Sequence, residues 1–340
     1  MLSSAMLERR AFLGVLAGGI FAAPPSAWAQ PAAKVWRIGI LSDSRPPTSD
    51  EGVQAAGFAG VFGTRLRELG YVEGENLTLV WRRSPEGTAH QLDDLAADLV
   101  RLKVDVIVAT YPAAVFSARR ATTTIPIIMV HTPDPVRLGL VASLAHPGGN
   151  ITGATSLSGD LTGKQLELLK QMLPRISRIA VVWNPDNPWH PVAVKGLEGN
   201  ARSSRVQLQG LQVRAPDGFR PAFAAMARER AQAVLFLADP LTFVHRAQLM
   251  DLAASQRLPT MGGPSEYADS GCLMTYWADT TDLYGRAATY VDRILKGANP
   301  AALPIEQPTK YELVINLRTA RTLGLTISPS LLQRADRVIE

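Results

Sequence analysis

The sequence predicts an α/β protein built as two Rossmann-like lobes, each a parallel sheet clothed by helices, joined by a hinge that the chain crosses more than once. Three observations predict it. Short strand-like apolar runs alternate with helical periodicities along the chain. The runs lack polar alternation, as strands buried on both faces do. The alternation occurs in two series of similar size within 340 residues, a length that suits two ordinary domains.

The first series runs strand 35–41, helix 52–70, strand 76–81, helix 91–101, strand 104–109, helix 113–121 and strand 125–130. In 52–70, Phe58, Val61, Phe62, Leu66 and Leu69 recur near the helical repeat, and Gly70 is placed to end it. In 91–101, Leu92, Leu95, Ala96 and Leu99 share one face. The second series enters at 150–155. It continues as helix 162–172, strand 179–183, helix 191–203, strand 207–213, helix 218–231, strand 233–237, helix 242–255 and strand 258–261. The turn cluster 145–150, with Gly148 and Gly149, suits a hinge. A long helix at 281–296 and the segment 303–306 read as chain that re-crosses between lobes. The expected division is 34–147 with about 278–304 for the first lobe, and 148–277 with about 305–340 for the second. Further hinge crossings are expected near 277–280 and 305–309.

Composition excludes several classes. Apolar residues make up 46% and charged residues 19%, a globular balance. The single cysteine, Cys272, excludes a disulfide framework and a cysteine-built metal site. The net charge is +5, but Lys and Arg are scattered, so no nucleic-acid partner is expected.

The first residues read as an export signal. Arg9 and Arg10 precede the apolar run 11–23, and Ala27-Trp28-Ala29 ends it in the pattern of a cleavage site. The run is shorter than the roughly 20 residues a bilayer crossing needs. The arginine pair resembles a twin-arginine signal, with a Sec-type signal as the alternative. No cysteine stands near the cleavage point to carry a lipid. Residues 1–29 are therefore expected to be a signal peptide, and the mature chain to be a soluble periplasmic protein.

In open parallel sheets, ligands sit beyond the carboxyl ends of the strands, and two facing lobes share one cleft there. That rule nominates Ser42, Asp43 and Ser44, then Thr110 and Tyr111, then Thr132 and Asp134. Thr155 and Ser156 follow the crossover; Asn184, Asp186, Asp239, Glu266 and Tyr267 come from the second series. Hydroxyls and helix N-termini suit a carboxylate. Asp134, Asp239 or Glu266 suit an ammonium. Tyr111, Tyr267, Trp189 and Trp277 suit an aromatic or apolar group. The same Asp and Ser residues also suit turns and helix caps.

No enzyme motif appears. The histidines, His90, His131, His146, His190 and His245, lack zinc-binding spacing. His131 follows a strand and could touch a ligand, but the favoured reading is a satisfied structural histidine. There is no nucleophile elbow and no phosphate-binding loop. Neither a catalytic residue nor a cofactor is expected.

Long ordered segments then carry a resemblance. They are Arg67-Glu68-Leu69-Gly70-Tyr71-Val72-Glu73-Gly74-Glu75-Asn76, Asp134-Pro135-Val136-Arg137-Leu138-Gly139-Leu140, Pro147-Gly148-Gly149-Asn150-Ile151-Thr152-Gly153 and Leu303-Pro304-Ile305-Glu306-Gln307-Pro308-Thr309-Lys310-Tyr311-Glu312-Leu313. In these the chain resembles the substrate-binding proteins of ABC transporters of the tryptophan/tyrosine type, with a type I periplasmic-binding-protein fold. The resemblance implies a monomer that captures a small-molecule solute between two lobes and delivers it to an ABC permease and its ATPase. Aromatic amino acids are the ligands it suggests. Cys272 and Trp277 stand where that family usually has glycine, and Arg337 where an acidic residue is usual. Two other readings stay open: a periplasmic receptor presenting its ligand to a membrane sensor, and a periplasmic hydrolase.

Overall fold

A computed structural model describes residues 34–42, 57–84, 91–156 and 161–340. The expected signal peptide, the site candidates Asp43 and Ser44, and the start of the helix read at 52–70 lie outside them.

The first lobe is a five-stranded parallel sheet in the order β2-β1-β3-β4-β5. Its strands are β1 (Trp36–Ser42), β2 (Leu77–Arg83), β3 (Val106–Thr110), β4 (Ile127–Thr132) and β5 (Ile151–Thr155). The side-chain alternation of strands splits their apolar residues between two faces. Ile38, Ile40, Val106, Val108, Ile128 and Val130 pack under helix α1 (Phe58–Glu68). Ile107, Ala109, Ile127 and Met129 pack under α2 (Leu92–Arg101) and α3 (Tyr111–Ala121). Gly70 follows α1 with φ +91°, ending the helix as its sequence predicts.

The second lobe is a seven-stranded sheet in the order β12-β11-β10-β9-β8-β6-β7. Its elements begin with α4 (Leu161–Met172), β6 (Arg178–Trp183), α5 (His190–Ser203), β7 (Gln207–Gln212), α6 (Phe219–Arg228) and β8 (Ala233–Phe236). The predicted helix 242–255 is two, α7 (Pro240–Val244) and α8 (Arg246–Ser255), because Asp239 and Pro240 start a short helix early and the chain turns at His245. Then come β9 (Thr260–Gly262), α9 (Glu266–Asp269) and β10 (Met274–Ala278).

From β10 the chain returns to the first lobe. Helix α10 (Thr280–Leu295), capped by the Asp279 carboxylate on the Thr281 N–H at 2.9 Å, buries Ala287, Ala288, Tyr290 and Val291 beside α1. It comes back as β11 (Tyr311–Asn316), α11 (Leu317–Leu323), α12 (Pro329–Leu332) and β12 (Arg337–Ile339). The strands β10, β11 and β12 escaped the sequence reading. One pairing also departs from the expected parallel sheet: β11 runs antiparallel to β10. A chain re-entering the lobe from the side it left must run in the opposite direction.

Among the described residues the chain passes between the sheets three times: after Thr155, after Ala278, and between Glu306 and Tyr311. The two-lobed, three-crossing architecture is the type I arrangement that the resemblance implied. The first crossing falls later than expected. Strand β5, placed by the sequence in the second lobe, is the edge of the first sheet, paired to β4. Gly148 is held within the first lobe by its N–H on the Ala301 carbonyl at 3.1 Å, so the turn at 145–150 is not a crossing.

Gly153 makes the β4–β5 pairing possible. Its φ is +128°, and a Cβ there would stand 2.4 Å from the Met129 carbonyl oxygen. Gly153→Ala is expected to lower stability by roughly 2 kcal/mol or more, because strain and a backbone clash add. Denaturant unfolding checks this; an unchanged midpoint would contradict the close approach.

Candidate functional site

The carboxyl ends of β3 and β4 face the starts of α4 and α5 and the end of β10 across a cleft. It contains about 470 Å³ of space not filled by atoms, with its open mouth included.

Tyr111 and His131 form the first-lobe wall with the prolines beside them, Pro112 and Pro133. Both carry positive φ, +66° and +53°. Bulky side chains rarely adopt that conformation, and where they do the strain concentrates at functional positions. The strain has a visible result: the two rings stack, with centroids 5.2 Å apart and planes at 17°. Tyr284 of α10 meets the imidazole edge-on at 5.1 Å. His131 is 3% exposed, and both of its ring nitrogens lack a partner. Burial pulls its pKa down to about 4, so the ring is neutral near pH 7. The sequence expectation of a satisfied structural histidine is corrected here.

The second-lobe wall is apolar and amide-lined. Trp277, at the end of β10, is buried with its indole N–H unpartnered. A Cβ on Gly263 would stand 2.8 Å from that of Ala238 and 3.2 Å from the Trp277 ring, so glycine permits this seat. Gln165 of α4 donates its amide nitrogen to the carbonyls of Gly262 (3.2 Å) and Tyr276 (3.0 Å). That fixes the orientation of its amide. Asn187, Trp189 and His190 complete the wall, with apolar Leu161, Ala193 and Leu237 between them.

A buried carboxylate organises the wall from behind. Asp239 accepts from Asn184 Nδ2 at 3.2 Å, Asn187 Nδ2 at 2.9 Å and the Leu241 N–H at 3.0 Å. His190 accepts at Nδ1 from the Asn184 N–H at 2.9 Å, so its Nε2 carries the proton and donates to the Ala238 carbonyl at 3.2 Å. Burial lowers the pKa of His190, against the opposing pull of Asp239.

Of the candidates the sequence offers, the structure brings Tyr111 and Trp277 to the cleft surface. Asn184 and Asp239 stand one layer behind it. The other described candidates lie away from the cleft lining. Thr110 donates to the Ser42 hydroxyl at 2.8 Å, and both are buried. Thr155 donates to the Thr132 carbonyl at 2.8 Å, joining β5 to β4. Ser156 is buried with its hydroxyl unpartnered. Asp134 accepts the Arg137 N–H at 3.0 Å, a turn-capping bond. Asp186 pairs with Arg214 at 3.2 Å. Tyr267 is a core residue whose hydroxyl donates to Thr242 at 2.7 Å, and Glu266 is largely buried with its carboxyl pKa raised by burial. For Thr155 and Asp134 the reason is that strand ends and turns leave free backbone groups, and short polar side chains satisfy those first.

Sequence reasoning missed Asn187, His190 and Gln165. The positional rule stopped at Asp186, one residue short of Asn187 and four short of His190, and did not reach the start of α4. Trp189, weighed as an aromatic candidate, lines the cleft. Among the described residues no group of three or more His, Cys, Asp or Glu is placed to hold a metal. No helix among them is long and apolar enough to cross a membrane.

Known proteins share this fold. Among curated proteins, a tyrosine-binding protein from Clostridioides difficile is 26% identical over 262 residues, covering 76% of this chain and 74% of its own length. A conserved domain protein from Vibrio cholerae superposes with a TM-score of 0.82 at 26% identity, covering 90% of this chain and all of that one. An ABC domain in complex with L-Trp from Streptococcus pneumoniae superposes at 0.81 with 24% identity, again over 90% of this chain, which shows a shared fold. The sequence profile of one family, described as ABC transporter substrate binding protein, matches residues 54–339. With that match spanning most of the molecule, the chain belongs to the family of ABC transporter substrate binding proteins.

Proposed function

We propose that the protein captures an aromatic amino acid, tyrosine or tryptophan, in the interlobe cleft and hands it unchanged to a membrane permease driven by its ATPase. The observation that carries this reading is the cleft itself: both lobes contribute aromatic rings, and one lining residue on each side, His131 and Trp277, has a buried ring nitrogen without a partner. Such a site is incomplete until a flat ligand with hydrogen-bonding edges fills it. The likeness to the tyrosine-binding protein supports the choice of ligand.

Export rests on the signal read at 1–29, with the mature chain beginning at Gln30 and acting as a periplasmic monomer. Closure follows from the three crossings: the solute binds on one lobe, the crossings bend, and the other lobe excludes water from it. The closed form is the one a permease recognises. No residue of the cleft is required to make or break a bond.

A thermal-shift screen of the mature chain against the amino acids and simple aromatic acids tests this. A ligand at 100 times its dissociation constant stabilises by about 2.7 kcal/mol, a visible rise in melting temperature. The rise is expected with tyrosine or tryptophan. A rise confined to aliphatic amino acids or to acids without an amine would overturn the choice of ligand.

A further inference from the structure

We propose that His131 is the specificity-determining residue of the cleft: its imidazole pairs with a ring-borne N–H or O–H of the solute, so the site takes hydroxylated or N–H-bearing aromatic rings and discriminates against a bare phenyl ring. The inference rests on the reading that aromatic amino acids bind in this cleft.

Four observations lead to it. The imidazole is almost fully buried, yet neither nitrogen has a partner. A neutral imidazole offers one donor and one acceptor, and a buried group of this kind is retained where something outside the chain completes it. The second cleft histidine supplies the contrast. His190 has both nitrogens engaged by the backbone, at Asn184 and Ala238, and so has nothing left to offer a ligand.

The ring is also held in place. Tyr111 stacks on the ring and Tyr284 meets it nearly at right angles, and Tyr111 and His131 both hold positive-φ backbones beside the stack. A ring fixed in this way loses little freedom on binding, which makes an unmet hydrogen bond a sharp discriminator.

Finally, none of the described lining residues is Asp, Glu, Lys or Arg. Recognition at this wall therefore runs through neutral hydrogen bonds and ring contacts. The Trp277 N–H, unpartnered on the opposite wall, provides one further donor for an acceptor on the same solute. Indole and phenol rings present a group that an imidazole nitrogen can accept from; phenyl and N-methylindole rings do not. A site built around a substrate's polar hydrogen penalises the analogue lacking it far more than a greasy pocket penalises a missing methylene.

The test is a calorimetric titration of the full mature protein with L-tyrosine, L-phenylalanine, L-tryptophan and 1-methyl-L-tryptophan. Phenylalanine is expected to bind at least about tenfold more weakly than tyrosine, and the N-methyl compound at least about tenfold more weakly than tryptophan. His131→Phe, which keeps an aromatic ring between Tyr111 and Tyr284, is expected to flatten both ratios towards unity. Equal affinities within each pair for the unaltered protein would overturn the assignment without any variant. Unchanged ratios in a folded His131→Phe would overturn it as well. If none of the four compounds binds, the ligand reading under Proposed function falls and this assignment falls with it, a result distinct from four equal affinities.

Discussion

Asp239→Ala is expected to lower the stability of the protein by about 3 kcal/mol, a fall in melting temperature of roughly 6–10 °C. The carboxylate is 3% exposed and accepts from three donors: two asparagine side chains and the N–H at the start of α7. Removing it leaves all three donors buried and unpaired, and an unpaired buried donor costs more than the bond it made. Asp239→Asn keeps the shape but turns one acceptor into an NH2 group that must meet an asparagine NH2. Its loss is expected to lie between wild type and alanine. Because Asn187 and His190 stand on the cleft surface and lean on this network, the alanine variant should also bind its solute more weakly. Thermal unfolding monitored by circular dichroism checks the first effect. A melting temperature unchanged within error would show that the network carries no stability.

The second large effect concerns acid. An unfolded imidazole titrates near 6.5, whereas burial holds His131 at about 4. Above pH 6.5 the ring is neutral in both states and adds no pH dependence. As pH falls from 6.5 towards 4, the unfolded chain takes up a proton that the folded chain refuses. Stability therefore falls with pH across that window, by about 1.4 kcal/mol per unit and about 3 kcal/mol in all. His190, also lowered by burial, adds a loss of the same sign. Urea unfolding at pH 7 and pH 4.5 separates the contribution of His131. His131→Phe is expected to lose about 2–3 kcal/mol less than wild type between the two. Parallel losses in the two proteins would mean that His131 is protonated in the folded state.

Much of the architecture was legible because the first sheet declares itself. Val106–Thr110 and Ile127–Thr132 are almost unbroken β-branched or apolar runs, and the helices of this lobe, Phe58–Glu68 and Leu92–Arg101, repeat their apolar residues where a helix must. The final strands were not legible for a physical reason. Tyr311–Asn316 opens with tyrosine and glutamate, because its first residues lie half-buried, and its antiparallel direction depends on a detour through the other lobe that no local pattern encodes.

The site was legible in outline only. Position beyond a strand end found Tyr111, and Trp277 drew notice as an aromatic where the resembled family has glycine. The same rule over-nominated hydroxyls and carboxylates. Thr155, Asp134 and Asp186 were correctly placed near strand ends, but backbone groups or an arginine claimed them. Whether His131 is satisfied depends on partners far along the chain, so its identity and neighbours in sequence say nothing about it. Asp239 shows both roles at once: it caps a short helix, and the same carboxylate positions the cleft wall.

The most direct measurement is equilibrium dialysis of the mature protein against labelled L-tyrosine and L-tryptophan, with the ligand recovered and identified afterwards. One saturable site per chain is expected for at least one of them, with the amino acid recovered chemically intact. An absence of saturable binding, or recovery of a converted product, would contradict the account of the cleft as a site of capture and release.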